Sequence, residues 1–156
     1  MFREMRRKRQ QLSQEECERV LREAPRGVLS VMGEDGYPYG VPLDFLYDDG
    51  RLYFHCAREG HKIDALAACD RAGLTVLDSG EREEGEWWYT FRSVIAFGWV
   101  HVVEDEERRL EALRALGMRY IPSVEEMEAT MARSAARTAV LEMVVDHMTG
   151  KVVKEK

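Results

Sequence analysis

An Asp-Gly pair at positions 49 and 50 separates two stretches of alternating apolar residues, and this arrangement constrains the fold most strongly. Asp-Gly between alternating stretches is a strong signal for a β-hairpin with a tight turn. The second stretch runs into Gly60-His61-Lys62, where a short helix over residues 61–68 is predicted. The alternating residues are Tyr39, Val41, Leu43, Phe45 and Tyr47 before the turn, and Leu52, Phe54 and Cys56 after it.

The segment from Val41 to Asp64 therefore predicts a strand, a turn, a second strand and a helix. The first turn of a helix presents free backbone amides and the positive end of the helix dipole, and Lys62 adds a cation there. Such a helix start suits a phosphate, although most helix starts carry only a solvated lysine. The two strands beside it can form a flat apolar wall that suits an aromatic ring. A phosphorylated cofactor with a ring system, such as flavin mononucleotide (FMN), would use both features.

The remaining segments predict a mainly β protein with peripheral helices. Six strands joined mostly by short turns favour a closed antiparallel barrel filled by its own side chains. A large cofactor would then lie outside the barrel, where two subunits meet. The other predicted strands cover 28–32, 74–78, 90–103 and 139–145, with a mid-strand bulge or close approach at Gly98 and a turn at Thr149-Gly150 that leads back through 151–153. The other predicted helices are a capped helix over 13–24, a helix with Leu110, Leu113 and Leu116 that ends at Gly117, and a helix opened by Ser123 and Glu126.

Composition predicts one globular domain over residues 1–156. Hydrophobic residues make up 45% and charged residues 33%, which is typical of soluble globular proteins. The net charge of −6 argues against nucleic acid as a partner, and the basic segment over residues 1–12 is expected to be a solvated tail or a rim that touches a neighbouring subunit. We expect no membrane span and no signal peptide, and the three irregularly spaced cysteines suit a reducing cytoplasm.

His55 is the best candidate for proton transfer. It shares a strand face with Tyr53, and a histidine there can donate a proton to a ligand near neutral pH. The alternative is a histidine bonded to backbone or water at the barrel rim. A zinc site from His55, Cys56 and His61 is disfavoured, because adjacent strand residues point to opposite faces. No serine lies in a Gly-x-Ser-x-Gly turn, which disfavours a serine hydrolase.

Three segments together resemble the FMN-binding split-barrel proteins related to pyridoxamine 5′-phosphate oxidase, and most closely the Nim-type branch named for nitroimidazole resistance. The segments are GYPYGVPLDFLYDDGRLYFHCAREGHKIDAL at 36–66, FRSVIAFGWVHVVED at 91–105 and VVDHMTGK at 144–151. Their order and spacing match along most of residues 13–151. The resemblance implies a six-stranded antiparallel split β-barrel and a homodimer with FMN in clefts between the subunits.

The resemblance also implies a set of cofactor-binding residues. His55 matches the histidine near the flavin in Nim-type proteins and is expected to be the substrate-side or proton-donating residue. The implied cofactor contacts are Val41, Pro42 and Leu43 along the ring edge, His55, Cys56 and Ala57 at the strand end, His61 and Lys62 at the phosphate, and Ser93, which reaches the flavin from the other subunit.

Four positions depart from the patterns of this family. Val41 and Leu46 stand in the region where the oxidase branch has basic side chains that help hold the cofactor, and His61 replaces an arginine common in that branch. Met148 stands where Nim-type relatives often have tryptophan. The missing basic side chains at Val41 and Leu46 favour the Nim-type branch over pyridoxamine phosphate chemistry.

The leading functional hypothesis is an FMN-dependent oxidoreductase that passes electrons from NADH or NADPH to a small-molecule acceptor. A non-catalytic flavin- or haem-binding protein of the same fold is the alternative, and a dimeric scaffold without cofactor is the third. The aromatic cluster Trp87, Trp88, Tyr89 and Phe91 could cover a ring, or could pack in the core or at an interface. The sequence assigns neither the substrate nor the role of these tryptophans.

Overall fold

A computed structural model describes residues 1–154. Seven strands and four α-helices account for most of the chain. In chain order they are α1 (Gln14–Glu23), β1 (Arg26–Met32), β2 (Pro38–Asp44), β3 (Leu46–Asp48), β4 (Arg51–Ala57), α2 (His61–Ala68), β5 (Arg71–Leu77), β6 (Thr90–Val102), α3 (Glu106–Tyr120), α4 (Val124–Ser134) and β7 (Thr138–Lys154).

The strands form one antiparallel sheet in the order β2-β1-β5-β6-β7-β4-β3. The two edge strands, β2 and β3, are consecutive in the chain and are separated only by Phe45. The sheet therefore curls until its two edges meet at one residue. This confirms the predicted mainly β split barrel with peripheral helices. The strand count is seven rather than six, because the single strand predicted over Tyr39–Tyr47 is interrupted at Phe45 and forms β2 and β3. The alternation of apolar residues continues across the interruption, so the sequence does not reveal it.

The barrel interior is a packed apolar core, and α1 covers part of it. Ser13 caps α1 in a reciprocal capping box with Glu16, as predicted, and the helix buries Cys17, Val20 and Leu21. Alternate residues of each strand point inward, which is why the periodicity of the sequence identified most of the core. Fully buried barrel residues include Leu29, Phe45, Leu52, Phe54, Leu74, Val76, Val94 and Leu141.

Helices α3 and α4 form a second layer against β4 and β7. Val103, Leu113 and Val140 are buried between these elements. Arg109 of α3 is buried and donates to the carbonyl oxygens of Ala135 and Thr138, both at 2.7 Å. These bonds fix α3 to the junction between α4 and β7.

The predicted helix end at Gly117 and the predicted turn at Thr149-Gly150 are wrong, and both errors involve a glycine that serves close packing. Helix α3 continues through Gly117 to Tyr120, and a Cβ at Gly117 would lie 2.8 Å from Met127 Cγ on α4. Strand β7 runs straight through Thr149-Gly150, where a Cβ at Gly150 would lie 2.6 Å from Cys17 Sγ on α1. A glycine required by a neighbouring helix cannot be distinguished from a turn glycine by sequence alone.

The predicted irregularity at Gly98 is confirmed. The register between β6 and β7 shifts between Phe97 and Gly98, so Asp146 has no partner across the ladder. A Cβ at Gly98 would lie 2.0 Å from the carbonyl oxygen of Val144. Only glycine allows the two backbones to approach this closely.

The basic N-terminal segment lies partly against the barrel. The ring of Phe2 stacks on His147 and Phe97, with centroid separations of 4.5 and 5.6 Å. Leu12 is buried, and its amide donates to the carbonyl of Gly150 at 2.9 Å. Within residues 1–154, none of the helices is long and apolar enough to cross a membrane.

Candidate functional site

Strand β2 supplies one wall of the candidate site. It is an edge strand, so one side of its backbone lacks a partner strand. Val41 and Leu43 pair in register with Leu29 and Gly27 of β1 and share their inward face, whereas Pro42 pairs with the exposed Val28 and faces outward. The free edge of β2 therefore presents unpaired backbone polar groups beside a half-buried apolar surface.

The carboxyl end of β4 presents His55 and Cys56 on opposite faces. Cys56 packs against the main core together with Leu43 and Ile63, whereas His55 is exposed on the side of α3 and α4. Burial raises the pKa of the Cys56 thiol, and the nearby Lys62 ammonium only partly opposes this effect. Cys56 is therefore protonated at neutral pH and serves packing rather than nucleophilic chemistry.

Helix α2 starts without a side-chain cap. Gly60 precedes it with φ of +120°, a conformation that favours glycine, and the first helical hydrogen bond runs from the Ile63 amide to the Gly60 carbonyl at 2.8 Å. The amides of His61 and Lys62 precede this bond and are free to bind an anion. The half-buried Lys62 side chain makes no ion pair with any residue in the described range 1–154.

An aromatic stack joins α2 to β2. The rings of His61 and Tyr39 are stacked with centroids 4.2 Å apart and planes 16° apart. This contact places the helix start beside the edge strand. Tyr39 was predicted only as a strand residue. Its contact with His61 could not be read from the sequence, because 22 positions separate them.

The structure brings together most of the predicted cofactor residues but not Ser93. The edge of β2, the end of β4 and the start of α2 are adjacent. Ser93 lies on β6, opposite Lys151 of β7, and strands β1 and β5 separate it from β2. Measured along the curled sheet, this separation is about 14 Å. Ser93 is therefore not a neighbour of the β2 edge within the sheet of one subunit.

His55 lines a cavity of about 310 Å³ between the sheet and the helices α3 and α4. Asp44, at the end of β2, lines the same cavity. Sequence reasoning missed both the cavity and Asp44, although a charged residue inside an alternating apolar strand was a usable signal. The remaining lining residues include Leu113, Leu116, Met127, Met131, Tyr120, Thr130, Ser134 and Thr138.

A sequence model of the family described as pyridoxamine 5′-phosphate oxidase matches residues 13–152. The chain belongs to this family. The match covers all seven strands except the last two described residues of β7, so the family assignment and the split-barrel fold agree. A search of curated protein sequences gives no significant match.

Solved structures of other split barrels of this kind resemble the chain over nearly its full length. A proposed 5-nitroimidazole antibiotic resistance protein from Bacteroides thetaiotaomicron has a TM-score of 0.77 and 24% identity, with 92% of this chain and 87% of that chain covered. An FAD-binding protein from Mesorhizobium loti has a TM-score of 0.69 and 25% identity, with coverage of 92% and 96%.

A third similar structure is the FAD and haem binding protein from Mycobacterium smegmatis. It has a TM-score of 0.75 and 26% identity, with 94% of this chain and 74% of that chain covered. Flavin binding is therefore found among proteins of this fold. Within residues 1–154, no three His, Cys, Asp or Glu side chains are grouped to hold a metal ion.

Proposed function

We propose that the protein is an FMN-binding oxidoreductase of small molecules, with the cofactor at the interface of a homodimer. The observation that carries the proposal is the uncapped start of α2, where two free amides and the unpaired Lys62 adjoin the free edge of β2. This donor set suits a phosphate dianion. The neighbouring half-buried surface at Val41 and Leu43 suits a flat ring.

Each predicted residue has a part in this proposal. His61 and Lys62 would hold the phosphate, and the backbone of Val41, Pro42 and Leu43 would lie along the ring. The backbone at the end of β4, from His55 through Cys56 to Ala57, would border the ring. When bound, the flavin would supply the electron transfer, which protein side chains do not carry themselves. His55 would hold or donate a proton on the substrate side.

The outer face of the sheet supports the homodimer in this proposal. Val28, Thr75 and Ile95 lie in one register row across β1, β5 and β6, and Ser30, Gly73 and Phe97 lie in the next. Val28, Ile95 and Phe97 are 36%, 40% and 41% exposed. A face on which exposed apolar side chains lie between smaller residues favours close contact with a copy of itself. Ser93 borders this face, so a second copy could bring its Ser93 to the cofactor.

The visible spectrum of the purified protein tests the proposal. We expect a flavin spectrum, either as purified or after titration with FMN, that bleaches anaerobically with NADH or NADPH. Titration with FAD in parallel tests the choice of flavin, because two similar structures are of proteins described as FAD-binding. Protein that binds neither flavin would overturn the proposal.

A non-catalytic flavin- or haem-binding protein is the second candidate. The M. smegmatis protein, described as binding FAD and haem, favours it. Bound flavin that neither nicotinamide reduces, or a Soret band that appears when hemin is added, would select this candidate over the oxidoreductase.

A further inference from the structure

The cavity between α3, α4 and β4 is distinct from the proposed cofactor cleft. His55 and Cys56 point to opposite faces of β4, and only His55 lines the cavity. The helices contribute an apolar lining that includes Leu113, Leu116, Met127 and Met131. Because His55 is exposed and also lines the cavity, the cavity opens to solvent beside this histidine. Its volume of about 310 Å³ is at the small end of the range of ligand sites and suits a single substituted ring.

The hydroxyl groups that line the cavity favour a ligand that donates hydrogen bonds. Ser134 Oγ donates to the Thr130 carbonyl at 2.7 Å, and Thr138 Oγ1 donates to the Ser134 carbonyl at 2.8 Å. The hydroxyl of Tyr120 lies 2.7 and 2.8 Å from the carbonyl oxygens of Pro25 and Phe45. These hydroxyl protons are already engaged, so the oxygens of Ser134 and Thr138 offer a ligand only acceptor positions, and the Tyr120 oxygen already accepts from the Phe45 amide.

Asp44 adds a negative charge with unused bonding capacity. Arg26 Nε lies 2.9 Å from Asp44 Oδ1, but Oδ1 is buried and has no hydrogen-bond partner of acceptable geometry within residues 1–154. Arg26 is itself largely exposed, so solvent weakens its neutralising effect on the carboxylate. A buried carboxylate oxygen whose ion-pair partner is poorly aligned and largely exposed favours a ligand that brings a further donor.

We propose that this cavity binds a single-ring aromatic or heteroaromatic molecule that carries a protonated amine, with the cation at Asp44 and the ring among the leucine and methionine side chains. Because this cavity lies apart from the cofactor cleft, the inference does not rest on the proposed function. The binding itself requires no flavin.

Three probes of the same shape and different charge test the proposal on the full-length protein, with and without added FMN. Binding of benzylamine, benzyl alcohol and benzoate is measured by titration calorimetry or by shifts of protein NMR signals. We expect benzylamine to bind at least tenfold more tightly than benzyl alcohol, and benzoate not to bind. Equal binding of benzoate and benzylamine, or no binding of benzylamine, would overturn the proposal.

Substitutions at the ion pair test the role of Asp44. Asp44→Asn should remove the preference for benzylamine over benzyl alcohol, whereas Arg26→Gln should retain or increase it. An undiminished preference in Asp44→Asn contradicts the proposal. Because these two variants alter the two sides of one ion pair, a shared loss of stability cannot produce their opposite effects on selectivity.

A cavity-filling substitution locates the ligand. Thr130→Phe places a ring in the cavity and should abolish benzylamine binding while FMN affinity is unchanged. Ala132→Phe, at an exposed position of the same helix, is the matched control and should bind both as the parent does. Retained benzylamine binding in Thr130→Phe, or an equal loss of FMN binding, would contradict a separate ligand cavity. If FMN never binds but the probe results hold, the proposed function fails and the cavity assignment stands.

Discussion

The hydroxyl of Tyr120 accepts a hydrogen bond from the Phe45 amide at 3.0 Å and lies 2.8 Å from the Phe45 carbonyl oxygen. Phe45 is the fully buried residue at which the chain passes from one edge of the sheet to the other. The last residue of α3 therefore satisfies the backbone at the point where regular strand pairing is interrupted. This contact also fixes Asp44, which precedes Phe45, at the wall of the cavity.

Tyr120→Phe should destabilise the protein. Removal of the hydroxyl leaves the buried amide and carbonyl of Phe45 without this partner, which costs about 2 kcal/mol in the free energy of unfolding. Tyr37→Phe is the matched control, because Tyr37 is 74% exposed. Urea unfolding followed by circular dichroism measures both variants. Equal stability of Tyr120→Phe and the parent would contradict the assigned role of the hydroxyl.

Stability should decrease at alkaline pH. Burial raises the pKa of the thiols of Cys17 and Cys56 and of the phenols of Tyr47, Tyr53 and Tyr120. In the unfolded chain these groups ionise at their ordinary pKa, about 8.5 for cysteine and about 10 for tyrosine. Their contribution to the free energy of unfolding is therefore complete below about pH 8 and is lost as the pH rises through the pKa values of the folded state.

Urea unfolding at pH 7.5, 9.0 and 10.5 measures this dependence. The free energy of unfolding should fall at each step, the thiols contributing first and the phenols later. A free energy of unfolding that is constant or rises over this interval would show that burial does not hold these groups protonated.

Gly98→Ala should disrupt the sheet, because its methyl group would lie 2.0 Å from the carbonyl oxygen of Val144. The backbones of β6 and β7 would have to separate, at a cost of about 3 kcal/mol or more. Gly73→Ala on the adjacent β5 is the control, since its methyl group would meet its nearest neighbour at 3.7 Å. Thermal melts should therefore rank Gly73→Ala near the parent and Gly98→Ala well below it.

Ile95→Lys should convert the proposed dimer into a monomer. A charge in the middle of the apolar sheet face is unfavourable to bury against a second copy. Val124→Lys is the control, because Val124 is 60% exposed at the start of α4 and outside this face. Size-exclusion chromatography with light scattering measures the mass. A monomeric parent, or a dimeric Ile95→Lys variant, would contradict the proposed interface.

The sequence predicted local structure well where one short-range pattern dominated. The capping box at Ser13, the Asp49-Gly50 turn and the helix over 61–68 depend on residues close in the chain, and all three are confirmed. The family resemblance and the split barrel are confirmed as well.

The sequence did not predict features that depend on distant partners. The break at Phe45 is stabilised by Tyr120, which lies 75 positions away, and the glycines at 117 and 150 are explained only by helices that pack on them. The cavity at His55 is formed by helices that follow it by more than 50 positions, so no local pattern near His55 reveals it.

The affinity of Lys62→Ala for FMN tests the central claim most directly. Loss of a charged hydrogen bond to a phosphate costs about 1.5–3 kcal/mol, so binding should weaken roughly tenfold to hundredfold. Lys154→Ala, an exposed lysine near the end of β7, is the matched control and should bind FMN as the parent does. Quenching of FMN fluorescence on titration gives both affinities. Equal affinities of Lys62→Ala and Lys154→Ala would contradict a phosphate site at the start of α2.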